Sequence, residues 1–383
     1  MNMLRISKIN RELKRISTQI IGFPSFMWEY LFLNFIYDKM VSTNKIVHEG
    51  IKPIVGEIAI YLVYAPNGLQ KSHHDTFVQL AFDNITPIVV SNLPLSTRDL
   101  DLLLEKSALV IERPNVGYDF GGYRDAILHL APELSKLDRL YILNDSVWMI
   151  GGSQSWFEQV RLSDCDFVGA TTHYGINRVD PREFRNLQWE FTSKHANFHY
   201  ASYALAFSKN ILCDPRFINF WSTFRISNDK KHTVKRGEIG LSKWIIKNSF
   251  SHCATCEDYK LDEEIKALDN KELNDLAHKL IIPQDESLLI QLALVLQNDY
   301  NTDLGRVERI QIILTAVSRQ ATGYVMAYFN ISKRNFQFIK KSPLRLSRSG
   351  AELTLELLKG FDNDIGRHAY CEALEIFAKR DDA

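Results

Sequence analysis

The feature that most restricts the fold of this chain is a regular alternation of strand and helix patterns between residues 57 and 146. Buried, β-branched stretches such as "EIAIYLVYA" and "ITPIVVSN" alternate with stretches whose apolar residues recur at helical spacing, and they do so four times. Strands joined through helices form parallel βαβ units, because a parallel strand pair needs a long crossover connection. The pattern therefore predicts an α/β fold with a mainly parallel central sheet flanked by helices.

The regions on either side of this alternation predict a chain in three parts. Residues 1–50 are assigned to an N-terminal helical extension, residues 55–257 to the α/β domain and residues 258–383 to a mostly helical C-terminal region. With 383 residues, of which 45% are hydrophobic, the chain is long and apolar enough to bury a large core.

One stretch of the N-terminal extension, "FPSFMWEYLFLNFIYDKM", is rich in aromatic residues and follows a basic segment. Glu29, Asn34 and Asp38 interrupt it, so no run reaches the length of a membrane span. Two interpretations stay open. The stretch either contacts a membrane surface peripherally or packs an aromatic stripe against the core.

Charge and cysteine content exclude several classes of protein. Lys plus Arg and Asp plus Glu number 46 each, which argues against a general nucleic-acid binder, since such proteins need a basic surplus. The five cysteines are odd in number and sparse, which suits a reducing compartment better than a disulfide scaffold. No secretory signal is recognisable. We therefore expect a cytoplasmic protein. If the N-terminal stretch contacts a membrane, the inner face of the plasma membrane is the expected surface.

The stretch "ERPNVGYDFGGYRDAILHL" joins a predicted strand to a predicted helix. Gly117 stands between Asn115 and Asp119, and a glycine can adopt a positive φ there. The helix that follows offers unpaired N–H groups and a partial positive charge, a combination that suits a diphosphate. The spacing matches neither a Walker loop nor a dinucleotide fingerprint. The alternative interpretation is a glycine-rich helix entry without a ligand.

The stretch "YILNDS" places Asn144, Asp145 and Ser146 at the end of the next buried strand. The carboxyl ends of parallel strands meet at one edge of the sheet, so we expect these residues to lie near Asn115. Carboxylate and neutral oxygens suit a divalent ion or ribose hydroxyls. The alternative is an Asx turn or a helix N-cap, which these residue types form routinely.

The two motifs, in this order and spacing, resemble the rhamnan-synthesis F family of bacterial glycosyltransferase-like proteins. Further stretches that carry the resemblance are "DFVGATTHYG", "FHYASYALAFSKNIL" and "RFINFWSTF", and together they cover residues 55–255. The family pattern reads Asn-x-Gly-x-Asp, Leu-Asn-Asp-Ser and His-x-x-Ser-Tyr. It is matched in full by Asn115, Gly117 and Asp119, by Leu143, Asn144, Asp145 and Ser146, and by His199, Ser202 and Tyr203.

The resemblance implies a GT-A-like glycosyltransferase that uses a nucleotide-sugar donor, with dTDP-rhamnose suspected. The acceptor would be a glycan or lipid-linked glycan of a bacterial cell-wall polysaccharide or O-antigen. The usual Asp-x-Asp is replaced by a motif with one carboxylate, so that Asp145 would be the protein ligand of any Mg²⁺ or Mn²⁺. The residues expected to bind substrate are Asn115, Gly117, Tyr118, Asp119, Asn144, Asp145, Ser146, Ser202 and Tyr203.

Inverting glycosyl transfer needs a general base for the acceptor hydroxyl. We select Glu238 in "KRGEIGLSKWII", because it begins a predicted helix and has the position in chain order at which GT-A transferases carry the base. Asp119 is the second candidate, and His199 is expected to contact the diphosphate or the acceptor. The alternatives are an ordinary helix-start glutamate and a structural histidine. At the level of function, the alternative is a catalytically silent GT-A-like module that binds nucleotide-sugar or glycan, or scaffolds an assembly complex.

Overall fold

The computed structural model describes residues 27–41 and 44–381. Its strands are β1 (Ile46–Glu49), β2 (Glu57–Val63), β3 (Thr86–Ser91), β4 (Leu109–Glu112), β5 (Arg139–Asn144), β6 (Val147–Met149), β7 (Phe167–His173), β8 (His199–Tyr200), β9 (Ala204–Ser208), β10 (His252–Cys256) and β11 (Phe338–Lys340). Helix α1 covers residues 27–36 and continues as a π-helical turn over Tyr37–Val41.

The helices that follow α1 are α2 (Lys71–Phe82), α3 (Thr97–Lys106), α4 (Tyr118–His129), α5 (Trp156–Leu162), α6 (Lys209–Leu212), α7 (Pro215–Thr223), α8 (Lys230–Arg236), α9 (Glu238–Lys247), α10 (Leu261–Ala267), α11 (Asn270–His278), α12 (Glu286–Gln297), α13 (Asp303–Arg319), α14 (Thr322–Val325), α15 (Ala327–Arg334), α16 (Pro343–Leu346), α17 (Arg348–Lys359) and α18 (Asp364–Asp381). Short 3₁₀ helices cover Leu134–Lys136 and Pro181–Asn186.

Nine strands of the described residues form one sheet in the order β1-β4-β3-β2-β5-β9-β7-β10, with β8 paired to β7. Strands β4, β3, β2 and β5 run parallel, as the alternation of strands and helices predicts. Strand β9 is antiparallel to both β5 and β7, and β1 is antiparallel to β4. The α/β class with a large sheet flanked by helices is confirmed, and the sheet combines parallel with antiparallel pairs.

Both faces of the sheet are buried, as the side chains of β2 illustrate. Ile58 and Ile60 lie in one core with α1, α4, α7 and α9, whereas Ala59 and Tyr61 lie in another with α2, α3 and α5. Successive side chains of a strand point to opposite faces, so a strand covered on both sides has an uninterrupted apolar run. The stretch "EIAIYLV" has that run for this reason.

The N-terminal region is more closely joined to the α/β domain than the prediction of a helical extension implies. Strand β1 extends the edge of the sheet, where Ile46 lies opposite Glu112. Leu33 and Tyr37 of α1 are buried in the same core as α4. A four-residue strand is too short to show a period of two, so the sequence pattern did not indicate β1. Residues 1–26 of the predicted extension lie outside the described residues.

The C-terminal region is helical apart from β11. Helices α11, α12 and α13 share a separate core, whereas α16, α17 and α18 pack against Trp148 of β6 and Ile339 of β11. Strand β11 pairs antiparallel with β6, which follows β5 directly in the chain. The C-terminal region thus adds a strand beside the carboxyl edge of the sheet. Within residues 27–41 and 44–381, no helix combines the length and the apolar character needed to cross a membrane.

Candidate active site

The turn before α4 is built around a glycine with a left-handed backbone. Gly117 has a φ of 81° and donates its N–H to Oδ1 of Asn228 at 2.9 Å. Glycine adopts this conformation without the steric cost that other residues meet. Asn115 and Tyr118 on either side are exposed. The turn therefore presents two side chains of the predicted motif to solvent at the carboxyl edge of the sheet.

Asn144 connects the two predicted motifs. Its Nδ2 donates to Oδ2 of Asp119 at 3.0 Å and to the hydroxyl of Tyr123 at 2.9 Å. Its Oδ1 accepts from the N–H of Ser146 at 3.1 Å and from the Ser146 hydroxyl at 2.6 Å. The turn interpretation of "NDS" thus holds for the carbonyl of Asn144, while the amide of the same side chain orients the Asp119 carboxylate.

Asp145 joins the end of β5 to the end of β2. Its Oδ2 accepts from the N–H of Tyr64 at 2.7 Å and lies 3.4 Å from Nε2 of His73. Its own N–H donates to the carbonyl of Leu62 at 3.1 Å. No hydrogen bond within residues 27–41 and 44–381 engages its second oxygen, Oδ1. Asp145 therefore combines a structural contact with a carboxylate oxygen that a ligand could use.

Glu238 begins α9, as the sequence predicts, and is held by two other predicted residues. Its Oε1 accepts from the hydroxyl of Ser202 at 2.6 Å, and its Oε2 lies 3.6 Å from Nε2 of His199. The His199 ring donates from Nδ1 to the carbonyl of Asn197 at 2.7 Å. Nε2 of the ring therefore faces the carboxylate at a distance that permits an ion pair but exceeds that of a hydrogen bond.

One chain of hydrogen bonds runs from the first motif to Glu238. Asp119 accepts from Asn144, which also donates to Tyr123. The Tyr123 hydroxyl donates to the carbonyl of Ser202 at 3.1 Å, and the Ser202 hydroxyl donates to Glu238. Side chains far apart in the sequence are thereby fixed relative to one another. Tyr123, which the motif pattern did not single out, is the central link.

The charges of this cluster perturb each other. Burial, reinforced by the neighbouring carboxylates Asp145 and Glu238, raises the pKa of Asp119 to about 6. Burial lowers the pKa of Lys340 to about 8, although Glu238 and Asp119 favour its charged form. Lys230, at the start of α8, lowers the pKa of both groups, whereas the neighbouring carboxylates raise it. The site thus contains three carboxylates and two ammonium groups in electrostatic contact.

Lys340 is, beside Tyr123 and Lys230, a functional candidate that sequence reasoning missed. It ends β11, where it lies opposite Val147 of β6, and its Nζ is 4.1 Å from the centroid of the Tyr203 ring. Tyr203 itself is buried, with its hydroxyl 2.9 Å from that of Thr171. The only local signal is a short apolar alternation in "FQFIKK", within a region whose pattern is otherwise helical. Its proximity to Asp119 depends on the tertiary structure.

A family model described as rhamnan synthesis protein F matches residues 87–304, more than half of the chain. The chain belongs to the rhamnan synthesis protein F family. The predicted resemblance is thereby confirmed. The description of the family refers to the synthesis of rhamnan.

The chain is also similar to a curated relative. An uncharacterized protein, y4gN of Sinorhizobium fredii (strain NBRC 101917 / NGR234), is 34% identical over 243 residues, which are 63% of this chain and 59% of the relative. The chain thus spans less than two thirds of the length of that relative.

The matched segment of the chain contains every predicted site residue. Asp119, Asn144, Ser202, His199 and Glu238 are brought together by hydrogen bonds or ion-pair contacts, and Asp145 by charge. The remaining predicted residues form the edge or the support of this group: Asn115, Gly117 and Tyr118 in the exposed turn, Ser146 in the turn of Asn144, and Tyr203 beneath Lys340.

The donor set of this protein does not build a metal site on its own. Among the described residues, no three His, Cys, Asp or Glu side chains are arranged to hold a metal ion. Asp145, the predicted ligand, has one oxygen engaged by the Tyr64 N–H. A divalent ion at Asp145 would therefore need its further ligands from phosphates of the substrate.

Proposed function

We propose that this protein is a GT-A-like glycosyltransferase of bacterial polysaccharide synthesis, which transfers a sugar from a nucleotide-diphosphate donor to a glycan or lipid-linked glycan. The sugar is rhamnose or another deoxysugar, with dTDP-rhamnose as the first donor to test. The observation that carries the proposal is the hydrogen-bond chain from Asp119 through Asn144, Tyr123 and Ser202 to Glu238. It supports a site in which the donor-binding residues and the general base are held in fixed positions relative to each other.

In the proposed reaction Glu238 removes the proton of the acceptor hydroxyl. The resulting oxygen attacks the anomeric carbon from the face opposite the leaving group, and the bond from that carbon to the diphosphate breaks with its electron pair on the diphosphate. Glu238 lies in the first turn of α9, close to the N–H groups that have no partner within the helix. His199 is suited to stabilise the carboxylate and to exchange the proton afterwards.

The leaving diphosphate needs positive charge, and Lys340 and Lys230 are placed to supply it. Lys340 is partly buried near Asp119 and Glu238, so its charge is screened less by water than that of an exposed lysine. The N–H groups at the start of α4 add a partial positive charge on the same edge of the sheet. These groups reduce the need for a metal, and a requirement for Mg²⁺ or Mn²⁺ at Asp145 stays a prediction for experiment.

A catalytically silent module that binds nucleotide-sugar or glycan is the second candidate function. The observation that favours it is the engagement of Asp145, the one carboxylate of the acidic motif, by the backbone of Tyr64. Such a module would retain the donor pocket and bind nucleotide without turnover. Under either function we propose that the protein acts on a glycan or lipid-linked glycan. We also propose that it is located in the cytoplasm and binds no nucleic acid.

The deciding experiment incubates the purified protein with dTDP-rhamnose and a rhamnan oligosaccharide, and follows dTDP release and product mass with and without EDTA. We expect turnover that Glu238→Gln abolishes while donor binding persists. Asp145→Asn removes the charge but keeps an oxygen for the Tyr64 N–H, so we expect a folded protein with weakened donor binding. Donor binding without turnover in the wild type would favour the silent module. Full activity of Asp145→Asn would refute the assignment of Asp145.

A further inference from the structure

Three polar side chains of α1 and its π-helical turn contact other parts of the protein. Glu29 accepts from the hydroxyl of Ser227 at 3.0 Å. Asn34 donates from Nδ2 to the carbonyl of Phe224 at 2.7 Å, and Asp38 accepts from Arg124 through both carboxylate oxygens. The same three residues interrupt the apolar stretch in the sequence. On the same side of the helix, Leu33 and Tyr37 are buried in the core, so the side that faces the protein is both apolar and polar.

The outward face of α1 is formed by large apolar side chains. Trp28 is 54% exposed, Leu31 52%, Phe32 48% and Phe35 63%. These positions are spaced i, i+3, i+4 and i+7, which places them on one side of the helix. The rings of Trp28 and Phe32 lie 6.4 Å apart, so they form a contiguous patch. We call these four residues the α1 face.

Basic side chains lie beside α1, where two of them contact Tyr30. The guanidinium carbon of Arg225 is 4.0 Å from the centroid of the Tyr30 ring, and that of Arg236 is 5.3 Å from it. Helix α8, which ends at Arg236, has the sequence "KKHTVKR" with four Lys or Arg and no carboxylate. A helix with an apolar aromatic face and basic side chains beside it matches the chemistry of an anionic lipid surface.

We propose that the α1 face docks on an anionic membrane surface, with the aromatic side chains entering the headgroup region and the basic residues binding lipid phosphates. The binding is peripheral, since α1 lies parallel to the protein surface and is fixed there by its polar contacts. A second copy of the chain would not need the basic side chains beside α1, because two such sets would repel each other. The proposal does not depend on the transferase activity, and its test uses no substrate.

The test measures co-sedimentation of the full chain with vesicles of phosphatidylcholine and with vesicles of equal parts phosphatidylcholine and phosphatidylglycerol. We expect binding to the anionic vesicles that weakens with added salt. Phe32→Ser with Phe35→Ser should reduce the partition roughly tenfold or more, since both rings leave water on docking. Arg225→Gln should reduce binding to anionic vesicles and make it less sensitive to salt.

Phe82→Ser is the matched control, because Phe82 is 79% exposed at the end of α2, which packs on the opposite face of the sheet. It should bind vesicles like the wild type. Thermal unfolding of each variant verifies that it is folded. Equal binding of the Phe32/Phe35 variant and the wild type would overturn the proposal. So would a wild-type dimer that ignores vesicles and becomes monomeric in that variant, since a second copy would then cover the face.

Discussion

Asp119 is charged at a cost to the folded protein, because burial and two further carboxylates oppose its ionisation. Its pKa of about 6 in the folded protein lies above the value of 3.8 for an unperturbed aspartate. The stability associated with this raised pKa is complete below about pH 4 and is lost as the pH rises through about 6. A residue that destabilises the fold at neutral pH is a mark of a functional site.

Asp119→Asn should therefore stabilise the protein while it impairs function. The amide keeps an oxygen for Asn144 but removes the repulsion from Asp145 and Glu238. We expect a gain of roughly 1–3 kcal/mol in the free energy of unfolding at pH 7 and little gain below pH 4. Urea unfolding at the two pH values checks this. A variant that is less stable than the wild type at pH 7 would contradict it.

Lys340 should set the alkaline limit of activity. Its pKa of about 8 means that it loses its charge just above neutral pH, and with it the attraction for a leaving diphosphate. We expect Lys340→Met to lose on the order of a hundredfold in turnover. Lys340→Arg should retain activity at higher pH, because a guanidinium stays protonated. Lys333→Met, at an exposed lysine paired with Glu272, serves as the control in the pH–rate profile.

At the scale of elements, the packing of α4 against β2 positions the first motif over the sheet. A Cβ on Gly122 would lie 2.2 Å from Cδ1 of Leu62, a buried residue of β2. Helix α4 can therefore approach the sheet closely enough for Asn144, at the end of β5, to reach Asp119. Gly122 lowers the helix propensity of α4. The close approach of the helix to the sheet explains why a glycine occupies this position.

Gly122→Ala should destabilise the fold by about 1–3 kcal/mol, because the core must move to admit the methyl group. Gly240→Ala in α9 is the matched control, since the nearest atom to its Cβ would be 3.6 Å away. There the gain in helix propensity should stabilise by roughly 0.5–1 kcal/mol. Thermal unfolding of both variants measures the difference. Equal effects at the two positions would exclude close packing as the cause.

Elements with a local pattern could be predicted from the sequence, and contacts between distant elements could not. The strands β2 to β5 and the helices between them follow from hydrophobic periodicity, and the placement of Asn144 beside Asp119 follows from parallel connections. Strand β11 and the inward polar side of α1 leave no comparable local pattern, since both depend on partners remote in the chain. Lys340 was missed for that reason.

At the scale of the whole molecule, Glu372 of α18 attaches the C-terminal helices to the α/β domain. It accepts hydrogen bonds from Ser72, from Trp148 at 2.8 Å and from Lys341 at 2.6 Å. Burial alone would raise its pKa, yet the pKa lies below its usual value because Lys341 and these donors favour the charged form. The stability gained from this lowered pKa is present above the ordinary glutamate pKa and is lost as the pH falls through the lowered value.

Glu372→Ala should cost about 2–4 kcal/mol in the free energy of unfolding at neutral pH, since it leaves Lys341 without its partner in a buried position. Glu372→Gln keeps two acceptor positions and should cost less. Its deficit relative to the wild type should shrink in acid, where the wild-type carboxylate is protonated as well. Urea titrations of the three proteins at neutral and acidic pH test this. A Gln variant whose deficit grows in acid would contradict the role of the charge.

The pairing of β11 with β6 has a consequence for how the protein is made. The ribosome synthesises the three carboxylates Asp119, Asp145 and Glu238 well before it reaches Lys340. Until β11 emerges and pairs with β6, the nascent chain carries their mutual repulsion without the partly buried ammonium group of Lys340 that offsets it. Translation that terminates before Lys340 would therefore release a protein with most of its sheet but with only Lys230 of the two ammonium groups of the candidate site.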